Sequence, residues 1–138
     1  MTGLDLEMAQ KVLDSQPFSG LVGARITAFG DGGATLEIDG REELQQQNGF
    51  LHGGVLAYAA DNALTFAAGT ALGPAVLTGG FSIQYLRPAT GGLVARAFVV
   101  HSGRRQAVAR CDLFTVDGSG AETLCAVAQG TVLNAASS

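Results

Sequence analysis

His52, Gly53 and Gly54 stand directly before an apolar run in which Asp61 is the only charged side chain between Gly53 and Leu77. Asp is a poor helix-interior residue, and an ionised carboxylate in apolar surroundings is costly unless hydrogen bonds or a cation offset it. No cation lies at helical spacing from it, and Asn62 and Thr65 are the nearest polar side chains. Asp61 therefore reads in one of two ways. It is a structural buried polar group, or it is a reactive carboxylate of the kind found in partly dry clefts, able to draw a proton from water or to attack a carbonyl carbon itself. A reaction at a carbonyl also needs donors for the oxygen that becomes negative. Peptide N–H groups at a helix start supply them, and Gly53 and Gly54, lacking Cβ atoms, would let a substrate approach the backbone there. The same glycines would equally serve a tight turn. His52 could donate to such a site or be a loop histidine satisfied by backbone; it is not expected to be the base.

Other chemistries find less support. No G-x-S-x-G occurs, which argues against a serine hydrolase of that type. His101 lies by a turn without an acid or nucleophile partner in view. Cys111 and Cys125 sit in apolar, strand-like segments rather than in C-x-x-C spacing, so buried free thiols are expected, with no metal site.

The elements that must position these residues follow from patterning. The 138 residues are 47% hydrophobic and 14% charged, enough apolar mass for the core of one globular domain. The formal charge of -4, with no run of Lys or Arg, argues against nucleic acid as a partner. Asp5, Glu7 and Lys11 are scattered through the first twenty residues, unlike a signal peptide, and a cytoplasmic protein is expected. The stretch from Gly53 to Leu77 is long enough to span a bilayer, but Asp61 near its centre and Gly73-Pro74 oppose insertion, and no membrane association is expected.

Leu4, Leu6, Met8, Val12 and Leu13 suggest a short N-terminal amphipathic helix, stopped by Pro17. From Gly20, LVGARITAF and ATLEIDG read as two strands joined by GDGG. A helix from about Gly54 to Gly69 follows, apolar on nearly every side and so expected to be buried all round. VLTGGFSIQYLRP, GLVARAFVVHS, RQAVARCDLFTVD and TLCAVAQGTVLN then give four strands separated by short turns. With one long helix to cover six strands, the fold class expected is α+β: a curved antiparallel sheet wrapped around the central helix. Both alternating sets of LVARAFVV are mainly apolar, so a second subunit is expected on the outer face.

This architecture, together with NGFLHGGVLAYAADNA and YLRPA, resembles the hotdog-fold acyl-CoA thioesterases of the PaaI-like group over nearly all of residues 1–138. The resemblance implies hydrolysis of acyl-CoA thioesters without a resident cofactor, coenzyme A being part of the substrate. It also implies a homodimer, or a dimer of dimers, whose active sites cross the subunit boundary. In that reading Asp61 is the base or the nucleophile and Gly53 and Gly54 polarise the carbonyl. A thiolate leaving group, with a pKa of about 8.5, can depart without strong acid assistance. Gln46, six residues before His52, matches a family position whose amide orients water or thioester, though Gln45 and Gln47 leave the register open by one; a solvated polar loop is the alternative. Thr78 matches a hydroxyl near the nucleophilic water, or is a plain strand residue. Arg104 and Arg105, and separately Arg87, are candidates for the CoA phosphates. Asn48, Phe50, Leu51, Tyr58 and Phe81 are candidates for substrate contact, although core packing explains the apolar ones as well. Two rival functions on this fold are a non-catalytic acyl-CoA binding protein and a hydratase or dehydratase; no HFPG-like segment of the latter is present.

Overall fold

The computed structural model describes residues 5–137. Its elements are α1 (Leu6–Asp14), α2 (Pro17–Val22), β1 (Arg25–Gly30), β2 (Gly33–Ile38), a 3-10 turn (Glu42–Leu44), α3 (Gly53–Leu72), β3 (Val76–Tyr85), β4 (Gly92–Ser102), β5 (Gln106–Val116), β6 (Glu122–Asn134) and a last 3-10 turn (Ala135–Ser137). Asp5 caps α1 by accepting from the Met8 N–H at 2.9 Å. Leu4, expected in this helix, lies outside the described residues.

The N-terminal region corrects one expectation. Pro17 does not simply stop α1; it opens α2 at its first turn, where a missing N–H removes no helical bond. Residues 20–22, read as the start of a strand, therefore belong to α2, which Gly23 closes at φ 83° before β1 begins at Arg25. A short apolar run is ambiguous between the two states, and here the proline and the glycine bracket a helix.

The six strands form one antiparallel sheet in the order β1-β2-β4-β5-β6-β3. α3 packs against every strand, and its Ala59, Ala60, Ala63, Ala67 and Ala68 are buried, small enough for the sheet to close around it. Leu36, Leu93, Leu113, Ala126 and Val132 on the concave side are at most 1% exposed. Leu113→Ala should lower unfolding free energy by about 3 kcal/mol, through lost transfer energy and a residual cavity. An unfolding free energy, measured by denaturant titration, that falls by less than a third of that would show the layer to be loosely packed.

On the convex side Arg96 makes two hydrogen bonds to Glu122, at 2.6 and 2.8 Å, and lies over the Phe114 ring, near exposed Phe98. Cys111 and Cys125 are buried and free, as expected. Burial pushes the Cys111 thiol up to about 12 and Cys125 upward as well. A thiol reagent at pH 8 should therefore label Cys111 and Cys125 only on unfolding; prompt labelling of native protein would contradict the packing. Because the folded protein keeps the Cys111 proton, this group's contribution to stability is full below about pH 9 and is lost as pH rises towards 12.

Candidate active site

α3 is longer than expected, ending only at Gly73 (φ 96°), and it is not buried on every side. Its half-buried polar residues Tyr58, Asp61, Asn62 and Thr65 fall at i, i+3, i+4 and i+7, a single stripe. The stripe is hidden in composition by the alanines around it.

Asp61 Oδ1 accepts a hydrogen bond from Thr78 Oγ1 at 2.5 Å. Thr78 is on β3, the edge strand beyond β6, and reaches Asp61 because of a bulge: the register shifts between Thr78, opposite Val132, and Gly80, opposite Thr131. Thr78 and Phe81, three residues apart, consequently face the same concave side. Thr65 Oγ1, one turn along α3, donates to the Asp61 carbonyl oxygen at 2.8 Å and lies 2.9 Å from Thr78 Oγ1. Asp61 Oδ2 has no hydrogen-bond partner among the described residues. The carboxylate is thus held by one oxygen, on the half-buried stripe of α3 beside the edge strand β3.

At the other end of α3, His52 caps the helix by accepting the Gly54 N–H on Nδ1 at 2.8 Å. This changes what the two glycines can do. The Gly54 N–H already has an acceptor, so the expected pair of carbonyl-polarising donors narrows to Gly53, whose N–H has no partner among the described residues. An imidazole accepting at Nδ1 carries its hydrogen on Nε2, which makes His52 a donor rather than a base in this arrangement. Tyr85, a contact the sequence did not single out, donates to the Gly53 carbonyl at 2.9 Å and packs against its Cα. Gly53 and Asp61 are eight residues apart on one helix, a rise of about 12 Å. Within one chain they do not meet at a single carbonyl group.

The remaining candidates fall into separate places. Of the three glutamines only Gln46 is withdrawn from solvent; with Phe50, Leu51, Gly53 and Arg87 it lines a cavity of about 310 Å³. The Gln46 side-chain oxygen accepts from the Asn48 N–H, shaping the loop. Tyr58 and His52 line a larger cavity of about 430 Å³ together with Phe18, Val22, Leu44 and Val55. Tyr58 donates to Ser19 at 2.5 Å, and Ser19, almost fully buried, donates to Gln16 at 2.7 Å. Burial pushes the Tyr58 phenol above its ordinary value; the Ser19 hydrogen bond pulls it back and the Asp61 charge adds to the rise. Phe81 packs on the core. Arg104 and Arg105 border a hollow of about 460 Å³ with His101, beside the β6 end that pairs with the start of β3. Arg87 lies just past the other end of β3, about 30 Å away at strand rise. One chain does not bring these cations together.

With the geometry in place, the sequence model described as the thioesterase superfamily matches residues 48–122, from the loop before α3 through β5. The chain belongs to the thioesterase superfamily. A Halobacterium salinarum protein to which an esterase activity is ascribed is 33% identical to this thioesterase-superfamily chain over 144 residues, covering 95% of each. The crystal structure of a thioesterase family protein from Silicibacter pomeroyi matches with TM-score 0.84 and 31% identity, covering 91% of this chain and 93% of that one. The E. coli PaaI protein, from the phenylacetic acid degradation operon, has the same fold with TM-score 0.79 at 22% identity, covering 91% and 89%. The expected PaaI-like hotdog fold is therefore present, and the superfamily is one of hydrolases. Among the described residues, no helix is long and apolar enough to cross a membrane.

Proposed function

We propose that this protein hydrolyses acyl-CoA thioesters to the free acid and CoA. Asp61 acts as base or nucleophile, and the Gly53 N–H polarises the thioester carbonyl. The observation that carries this reading is the state of Asp61: one oxygen fixed by Thr78 at 2.5 Å, the other without a partner among the described residues. A purely structural buried carboxylate would have both oxygens satisfied. Since Gly53 and Asp61 stand too far apart in one chain, the working site joins Asp61 of one protomer to Gly53 of another, in a homodimer or dimer of dimers. Gln46 and Arg87 flank Gly53, where the thioester and a CoA phosphate would lie, and Arg104 and Arg105 offer a second place for phosphate. Phe50 and Leu51 offer apolar walls beside Gly53, and Tyr58 offers one in the separate larger cavity.

The test is a panel of acyl-CoAs, aryl and medium-chain among them, with a thiol-detecting reagent. Thiol release that saturates with substrate supports the proposal. Binding without release favours a non-catalytic acyl-CoA binding protein, and a change at the acyl double bond without thiol release favours a hydratase.

A further inference from the structure

Thr65 is left without a role by that scheme, yet it is tied to both groups that matter. Its Oγ1 lies 2.8 Å from the Asp61 carbonyl oxygen and 2.9 Å from Thr78 Oγ1, which lies 2.5 Å from Asp61 Oδ1. Each threonine hydroxyl has a single hydrogen. Two hydrogens thus serve three contacts, and the Thr65 hydrogen has a choice of acceptor. When Asp61 is ionised its charge draws the Thr78 hydrogen to Oδ1, the strongest of the three bonds. That leaves a Thr78 lone pair directed at Thr65. Turning its hydrogen to Thr78 completes a chain from Thr65 through Thr78 to the carboxylate, in which each bond polarises the next. The Asp61 carbonyl, a main-chain acceptor inside a helix, tolerates the loss because it has a second lone pair and a helical partner.

We propose that Thr65 is a positioning residue: acting through Thr78, it fixes Asp61 Oδ1 and leaves Oδ2 as the one reacting oxygen. The inference rests on the proposed function and names which oxygen does the work. In the base route, Oδ2 takes one proton from water as the water oxygen bonds to the thioester carbon and the carbonyl π pair moves onto oxygen. When that oxygen's pair returns and the C–S bond breaks, the sulfur leaves as thiolate and recovers the proton as a thiol.

The experiment measures kcat and KM for Thr65→Val, Thr65→Ala, Thr65→Ser, Thr78→Val and the Thr65→Val/Thr78→Val double variant, on whichever acyl-CoA the panel shows to be turned over. Losing the Thr65 hydroxyl should lower kcat about tenfold at unchanged KM, and serine should restore most of it. In the double variant the Thr65 change should add little to Thr78→Val, since its effect passes through a hydroxyl already gone. Thr65→Ala, which removes the hydroxyl without adding bulk, decides the matter if the valine variant does not fold. Wild-type kcat in a folded Thr65 variant lacking the hydroxyl, or full additivity with Thr78→Val, would overturn the inference. Undiminished turnover by Asp61→Asn would instead remove Asp61 from the chemistry, and no thiol release by the wild-type protein across the panel would remove the proposed function, so these failures are distinct from that of the Thr65 inference.

Discussion

Asp61→Asn should lower kcat for thioester cleavage about a thousandfold, roughly 4 kcal/mol of barrier, while leaving the fold intact. The asparagine has the same shape, and its side-chain oxygen can still accept the Thr78 hydrogen bond now made to Oδ1. What it lacks is charge and basicity, which both routes require. A structural role predicts the reverse pattern, with stability lost and turnover kept in whatever remains folded. Thr78→Ala should cost less, about tenfold, because Asp61 keeps its charge and its place on α3. Thermal unfolding and thiol-release kinetics on the same preparations separate the cases. Turnover by Asp61→Asn within about threefold of wild type would remove Asp61 from the chemistry.

The second large effect concerns the subunit boundary. Gly53→Pro should reduce kcat by about a hundredfold to a thousandfold, the usual consequence of losing one donor to a developing oxyanion. Proline is well suited to the position. Gly53 is the first residue of α3, where proline is favoured, and His52 before it is already extended at φ -61°, ψ 138°. An added Cβ meets only the Tyr85 ring end, at 3.4 Å. Neither Gly53→Pro nor Asp61→Asn homodimers should turn over appreciably. In a hybrid of the two, one site carries both changes and the other carries neither. An equal random mixture should therefore regain about a quarter of wild-type activity, half the dimers being hybrids with one intact site each. Hybrids shown to form, yet without recovered activity, would mean that each site lies within one chain.

How much of this was written in the sequence depends on the range of the interaction concerned. The strands after α3 were legible because β-branched runs and short turns are local signals, and Thr78, Phe81 and Tyr85 all lie where the VLTGGFSIQYLRP run placed a strand. Asp61 stood out because charge is scarce around it. α2 was not legible, since Pro17 serves equally to end one helix and begin another and a six-residue apolar run fits either state; the structure adds the Gly23 C-cap and a Tyr58 hydrogen bond to Ser19. The polar stripe on α3 was masked by alanines that read as apolar on every side. The Gly54 N–H bond to His52 depends on how an imidazole folds back over its own helix, a detail without a compositional signature. Thr65 could be suspected from its i+4 spacing to Asp61, but its contact with Thr78 requires the bulge in β3, which two adjacent glycines hint at without fixing its phase.

That bulge divides β3 into two half-strands with opposite phase. Upstream of Gly79 the odd-even alternation serves the reactive carboxylate; downstream it serves the hydrophobic interior through Phe81 and Ile83. The phase is reset between them, so even-numbered side chains face inward before the bulge and odd-numbered ones after it. Removing one of the two glycines would leave Thr78 and Phe81 two residues apart, on one face by ordinary alternation, so both halves would keep their inward side chains while the local kink that sets the reach of Thr78 to Asp61 would be lost.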